Sequence, residues 1–257
     1  MERLLLFDLD GTLLRSDKTI SPYTVDIMKK SRERGLLLGV ATARSEMNAQ
    51  KFFSSIEPDI VISSNGARVS LNGKTIYRCE FSKEDTKTVI DTARKVCGDN
   101  CEITVDTVDK HYWNYKVFPL DLDSSWGETT YTDYNRFAEA ALKICVGLND
   151  EKVAKQISES VKDCSCFKFL DGGWFQFCRK SATKENAVTE LSKVTGIQTQ
   201  DIIAFGDDYI DIKMLSVCGK GVAVGNAIKE VKKIADEVID TNDNDGIAKY
   251  LSAIYEL

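Results

Sequence analysis

A chain of 257 residues has room for one large α/β domain or two modest ones. Its 43% hydrophobic and 29% charged residues belong to a folded chain, not a disordered one. With 34 Lys and Arg against 40 Asp and Glu, the net charge is −6, the wrong sign for neutralising nucleic-acid phosphates, so nucleic acid is not an expected partner.

The first apolar run, Leu4–Phe7, ends at Asp8. It is too short for a signal peptide, and no later run is long enough to span a membrane. A cytoplasmic location and no membrane partner are expected. Ser21 and Pro22 read as N-cap and first residue of a helix that shows Val25 and Met28 on one face and closes at Gly35. Apolar runs follow at 36–40 and 60–62, without the polar alternation of a half-exposed strand. From 82 the pattern changes. A helix is predicted over 82–97, with Ser82 and Asp85 spaced nearly as a capping box. Alternating, aromatic-rich segments lie at 101–105 and 112–117, then a polar stretch at 119–135 and a helix at 149–161. Strand-like runs at 166–170 and 174–178 flank Asp171-Gly172-Gly173, a hairpin signal. The parallel pattern then resumes. A helix over 183–195 aligns Ala187, Val188, Leu191 and Val194 and ends at Gly196. Strands are predicted at 202–205, 222–224 and 238–239, and a loop at 241–246. The expected fold is a Rossmann-like α/β core of residues 1–81 and 181–257 with a parallel sheet, interrupted by an inserted α+β domain at 82–180.

Eight cysteines, at 79, 97, 101, 145, 164, 166, 178 and 218, are expected to be reduced and mostly buried, since no export signal precedes them. Neither close pair, Cys97/Cys101 or Cys164/Cys166, has C-x-x-C spacing, and His111 is the sole histidine, which weighs against zinc. A Ser-His-Asp triad would have to use His111, and no G-x-S-x-G elbow accompanies it.

The chemistry-bearing residues fall at strand ends, where open α/β sheets bind ligands. Asp8-Leu9-Asp10-Gly11-Thr12 follows the first strand. After a turn permitted by Gly11, both carboxylates can face one crevice, one as nucleophile and one handling protons. Two acids would repel a phosphate unless a divalent cation lay between them, and oxygen-only ligands favour Mg²⁺. The plain alternative is an Asp-Gly turn with solvated acids. Ala41-Thr42-Ala43-Arg44 follows the second strand; Thr42 and adjacent amides can hold a phosphoryl oxygen, or Thr42 can cap a helix. Lys184 opens its helix, where the dipole disfavours a cation; it is either solvated or committed to neutralising a phosphate. Gly206-Asp207-Asp208-Tyr209-Ile210-Asp211 is either an acidic surface loop or a cluster that needs a cation when buried.

In order, FDLDGTLL, GVATAR, SSNGA, TKENAV, FGDDYIDIKML, GVAVGNA and NDNDGIAKYL resemble the haloacid dehalogenase superfamily, in particular its Cof-type sugar-phosphatase branch, whose large C2-type cap lies between the SSNGA and TKENAV positions. The resemblance implies a phosphatase acting on small phosphorylated metabolites, sugar phosphates foremost. In it Asp8 attacks phosphorus to form an aspartyl-phosphate and Asp10 is general acid, then base. Mg²⁺ is held by Asp8, the Asp10 main-chain carbonyl and Asp207, with Asp211 close by. The Leu9 amide, Thr42, the Ala43 amide and Lys184 bind phosphoryl oxygens. Two positions depart from the pattern: Ile210 stands where Asn is usual, and Ala43 where Gly is usual.

A signalling receiver domain shares the acidic pocket, Thr and Lys, but is about half this length and has no use for a hydrolysing base such as Asp10. A phosphosugar mutase shares the chemistry. A non-catalytic phospho-ligand binder finds support in Ile210. Specificity is expected on the inserted domain, which would cover the crevice; His111, Trp113, Trp126, Trp174 and residues 121–135 are candidates to touch substrate, although such side chains more often fill a small domain's core.

Overall fold

All four side chains of β1, Leu4–Phe7, are buried. Successive strand residues point to opposite faces, so this strand is covered on both. The computed structural model describes residues 3–115, 129–169 and 173–257. The chain divides into two units, one of Met1–Tyr77 with Thr183–Leu257 and one of Arg78–Ala182.

In the first unit β1 lies inside an eight-stranded sheet with β2 (Leu37–Ala41), β3 (Ile60–Ser63), β4 (Arg68–Leu71), β5 (Lys74–Arg78), β12 (Ile202–Gly206), β13 (Lys220–Ala223) and β14 (Glu237–Val238). The order is β14-β13-β12-β1-β2-β3-β4-β5. Pairing is parallel from β14 through β3, and β4 turns antiparallel to β3. Phe7 is level with Phe205 on one side and Val40 on the other. The segments after β1, β2 and β12 therefore leave the sheet along one edge, which brings three of the motifs together.

Helix α1 (Pro22–Glu33) is capped by Ser21, whose hydroxyl accepts from the Thr24 N–H at 3.0 Å. Ile27 and Met28 carry its buried face, and Val25 is only half-buried. The short α2 (Glu46–Phe53) is capped by Ser45, so Thr42 is not a helix cap. Helix α5 (Lys184–Thr195) begins at the Thr183 cap and buries Ala187, Val188 and Leu191. Val194 does not join that stripe: it is 56% exposed, because the last turn lies at the unit's surface. Helices α6 (Ile212–Val217), α7 (Lys229–Ile234) and α8 (Gly246–Tyr255) complete the unit. The run at 238–239 is also less buried than its pattern implies: β14 is a two-residue edge strand, and Val238 is 52% exposed. The β4–β5 connection is absent from the sequence reading, although Asn72 and Gly73, both left-handed (φ 48 and 74), form a familiar hairpin dipeptide.

The second unit has a six-stranded sheet ordered β10-β11-β9-β6-β7-β8. Its members are β6 (Ile103–Asp106), β7 (His111–Trp113), β8 (Thr130–Tyr131), β9 (Lys143–Gly147), β10 (Cys164–Lys168) and β11 (Trp174–Arg179), with helices α3 (Lys83–Cys97) and α4 (Glu151–Ser158). Adjacent strands are antiparallel except for β7 and β8. Ser82 caps α3, and Val89, Ile90 and Ala93 from that helix share a core with Ile103, Val105, Ile144, Val146 and Phe177. Trp126, the start of the 121–135 stretch, and Asp171-Gly172 lie outside the described residues. No disulfide joins the eight cysteines, and among the described residues no helix is long and apolar enough to cross a membrane.

The opposite strand face carries a buried ionic group. Asp106 is level with His111 on β7 and with Lys143 on β9. Its carboxylate meets His111 Nδ1 at 2.5 Å and Lys143 Nζ at 2.9 Å. Burial pushes the Asp106 carboxyl up, but Lys143 and His111 outweigh it and hold it well below the usual carboxylate range. Asp106→Ala removes the counter-charge from a buried ammonium, and the expected loss is about 3–5 kcal/mol, read as a lower urea midpoint; an unchanged midpoint would refute a stabilising role for the pair.

Candidate active site

Asp8 directly follows β1, and its N–H donates to the Phe205 carbonyl at 3.0 Å. Lys184, at the start of α5, is fully buried. Its ammonium donates to Asp8 Oδ1 at 2.6 Å and Asp211 Oδ1 at 2.7 Å. The other Asp211 oxygen accepts the N–H groups of Asp207 and Asp208, both at 3.1 Å, so this buried acid also shapes the loop after β12. Asp207 Oδ1 accepts the Thr12 hydroxyl at 2.6 Å. These segments approach so closely that a Cβ on Gly11 would lie 2.5 Å from Asp207 Oδ2. Only a glycine leaves that space open, and its φ of +83 is also one glycine adopts readily.

Two motifs late in the chain tie the same loop down. Asn226 donates to the Gly11 carbonyl at 2.7 Å and accepts the Asn242 N–H at 3.0 Å. The Asn242 side chain in turn donates to the Leu14 carbonyl at 2.9 Å.

Asp8, Asp207 and Asp211 each present a carboxylate oxygen within 4.8 Å of the others'. Three carboxylates against the Lys184 ammonium leave two negative charges in a largely buried space. Burial is the main cause that raises the Asp8 carboxyl well above its usual range; Lys184 opposes it, while Asp211 and Asp207 add to it. Burial likewise moves Asp207 up to about 6, against the Thr12 hydrogen bond. Burial would lower the Lys184 pKa, but Asp211 and Asp8 overcome it and raise it. An oxygen-only donor set lacking two positive charges suits a hard divalent cation such as Mg²⁺.

The Asp10 carboxylate stands apart from this cluster. Arg44 grips it with Nε on Oδ2 at 2.7 Å and Nη2 on Oδ1 at 2.9 Å, and Lys18 adds a contact at 2.8 Å. Burial raises its pKa, but the hydrogen bonds from Arg44 and Lys18 prevail and bring it to about 2. Thr42 is buried beside β3, its N–H on the Ile62 carbonyl at 2.8 Å and its hydroxyl accepting the Arg44 N–H at 3.1 Å. Ala43 lies between them on the same loop. Leu9 is buried, and its carbonyl accepts the Thr12 and Leu14 N–H groups. Arg44 and Lys18 are ion-pair partners of Asp10 that sequence reasoning missed. Arg44 had a signal, its place in the GVATAR stretch, whereas nothing local marks Lys18. Ile210 is 36% exposed, an apolar side chain at the surface of the loop. Of the substrate candidates, His111 is committed to Asp106, and Trp113 and Trp174 meet edge-on at 6.4 Å.

Residues 5–251 match the family model for haloacid dehalogenase-like hydrolases, and the chain belongs to that family. It is similar to a 5-amino-6-(5-phospho-D-ribitylamino)uracil phosphatase of Bacillus subtilis, with 26% identity covering 99% of this chain and 98% of the relative. It is also similar to a pyridoxal phosphate phosphatase of Escherichia coli, with 24% identity covering 97% of each. A sugar phosphatase of HAD subclass IIB shares its fold with a TM-score of 0.81 at 22% identity, over 99% of this chain and 100% of that one.

If the cluster takes up a cation, the raised Asp207 carboxyl makes that binding depend on pH. Without a cation the folded protein holds the Asp207 proton more tightly than the unfolded chain does. Raising the pH from below about 4 to well above 6 then costs up to about 3 kcal/mol of stability. Mg²⁺ must displace that proton, so it is expected to raise the melting midpoint more at about pH 7.5 than at about pH 5. Equal increments would mean that no carboxyl of the Asp8, Asp207 and Asp211 group gives up a proton to the cation.

Proposed function

We propose that this hydrolase is a Mg²⁺-dependent phosphatase of small phosphorylated metabolites that works through an aspartyl-phosphate on Asp8. The observation that carries this reading is the buried Asp8–Lys184–Asp211 group with Asp207 beside it. It offers a nucleophilic carboxylate, a fixed ammonium and a place for one divalent cation. When bound, held by Asp8 and Asp207 with Asp211 behind them, the cation supplies charge that offsets the phosphoryl oxygens.

An Asp8 carboxylate oxygen bonds to phosphorus as the ester P–O bond breaks, and the leaving alkoxide takes a proton from Asp10. A water then attacks phosphorus, gives its proton to Asp10 and breaks the bond to Asp8, releasing inorganic phosphate. Lys184, the Thr42 hydroxyl and the Leu9 and Ala43 amides hold the phosphoryl oxygens, so catalysis is mainly positioning and charge neutralisation. Asp10 has a further requirement. A carboxylate gripped by Arg44 and Lys18 carries no proton near neutral pH, so it has to leave those cations before it can act as an acid. An incoming phosphate dianion is the kind of ligand that draws such cations away.

Sugar phosphates lead as substrates, and the names of the relatives add phosphate esters that bear a heterocycle. Phosphate release is to be followed across a panel of such esters, with and without Mg²⁺, for the wild type and Asp8→Asn. Wild-type turnover that requires Mg²⁺ is expected, with a loss of roughly 10³-fold or more in the variant. An isomerised product in place of free phosphate would make the enzyme a mutase. Binding of the esters without any turnover would make it a phospho-ligand binder.

A further inference from the structure

The SSNGA stretch carries none of the chemistry above, yet its backbone is the most unusual in the first unit. Ser64, Asn65 and Gly66 are consecutive residues with left-handed backbones, φ 50, 58 and 98. All three are buried. Among the described residues, Ser64 Oγ and Asn65 Oδ1 are buried without a hydrogen-bond partner, so the main-chain contacts, not these side-chain oxygens, account for the turn.

Those contacts run in two directions. The Asn65 N–H donates to the Thr42 carbonyl at 3.0 Å, and the Ser64 N–H to the Arg44 carbonyl at 2.7 Å. In a planar trans peptide the N–H points opposite to the C=O of the same unit. Fixing the Thr42 carbonyl on Asn65 therefore fixes the direction of the Ala43 N–H. Anchoring the Arg44 carbonyl on Ser64 holds the backbone from which its guanidinium reaches Asp10. On the other side, Gly66 rests against the start of α5. A Cβ there would lie 2.2 Å from the Thr183 carbonyl oxygen and 3.0 Å from the Lys184 main-chain nitrogen.

We propose that the Ser64–Gly66 turn is the positioning element of the phosphate site, setting the Ala43 amide and Lys184 relative to each other through its backbone. The proposal rests on the reading above, in which both groups bind phosphoryl oxygens. A side chain at Gly66 has to displace Thr183 by about 1 Å, and misplacement on that scale costs about 100-fold where geometry governs the rate. Asn65 matters as a residue that tolerates a left-handed backbone. Glycine tolerates it better, and valine is forced out of it.

The test measures orthovanadate affinity by calorimetry and kcat and KM on a small aryl phosphate, both with Mg²⁺, together with melting midpoints. Asn65→Gly is expected to stay within about 3-fold of wild type in both affinity and kcat/KM, while Asn65→Val and Gly66→Ala lose about 100-fold in each. Gly35→Ala is the control, because Gly35 has φ +84 with nothing within 4 Å of an added Cβ. It is expected to lower the midpoint and leave orthovanadate binding intact. If Gly66→Ala does not fold, Asn65→Val against Asn65→Gly decides. The proposal is overturned if Asn65→Gly loses as much as Asn65→Val, if a folded Gly66→Ala binds orthovanadate like wild type, or if Gly35→Ala loses affinity alongside the others. A wild type that binds orthovanadate but hydrolyses no ester would sink the phosphatase reading alone, and the affinities would still decide this one.

Discussion

The first unit is organised around one buried ammonium. Lys184 has left water entirely, and a charge in that position persists only when its counter-charges are bonded to it. Asp8 and Asp211 meet that demand from two different strand ends. The pairing also keeps two carboxylates close together that would otherwise repel, and Asp211 passes the constraint on by receiving the amides of the loop that carries Asp207. Helix α5, β1 and the loop after β12 are thus fixed by a single group of charges. With Asp207 counted beside it, that group is short of two positive charges, so the arrangement that orders the loops also suits a cation.

Close approach of backbones is the second requirement, and it is met by main-chain geometry more than by side chains. Gly11 lets the first loop come within contact of Asp207, and Asn226 and Asn242 then hold that loop from far along the chain. The left-handed residues after β3 fill the same role on the other flank. Ser64 and Asn65, the two that are not glycine, each cost about 1–3 kcal/mol, a loss of stability that concentrates at the site and that the all-apolar β1 and its neighbouring strands can offset.

Much of this was legible in the sequence because the relevant signals are local. The run Leu4–Phe7, the Ser21-Pro22 helix start, the helix that ends at Gly196 and the acids placed just after strands all depend on residues within one turn or one strand of each other. The features that were not legible depend on distant partners. Thr42 alone reads as a cap or as a phosphate ligand, and Ser45 three residues later turns out to be the cap. Asp10 reads as a free acid until Arg44, thirty-four residues away, closes on it. Val194 and Val238 fit the apolar pattern, but only the tertiary structure reveals where a helix or sheet reaches its edge. His111 could be substrate-facing by sequence, and its register opposite Asp106 decides that it belongs to an ionic cluster.

One small contact in the second unit bears on how such a chain arises. Cys79 Sγ lies 3.1 Å from Ser181 Oγ, and Arg179 donates to the Glu80 carbonyl at 3.2 Å, so the segments that lead into and out of the insertion meet at their ends. A segment whose ends already meet closes its loop at an entropy cost that grows only with the logarithm of its length. The junction therefore behaves as a graft point. Evolution can lengthen, exchange or prune what hangs from it while the charges around Lys184 and the strand order beneath them remain as they are.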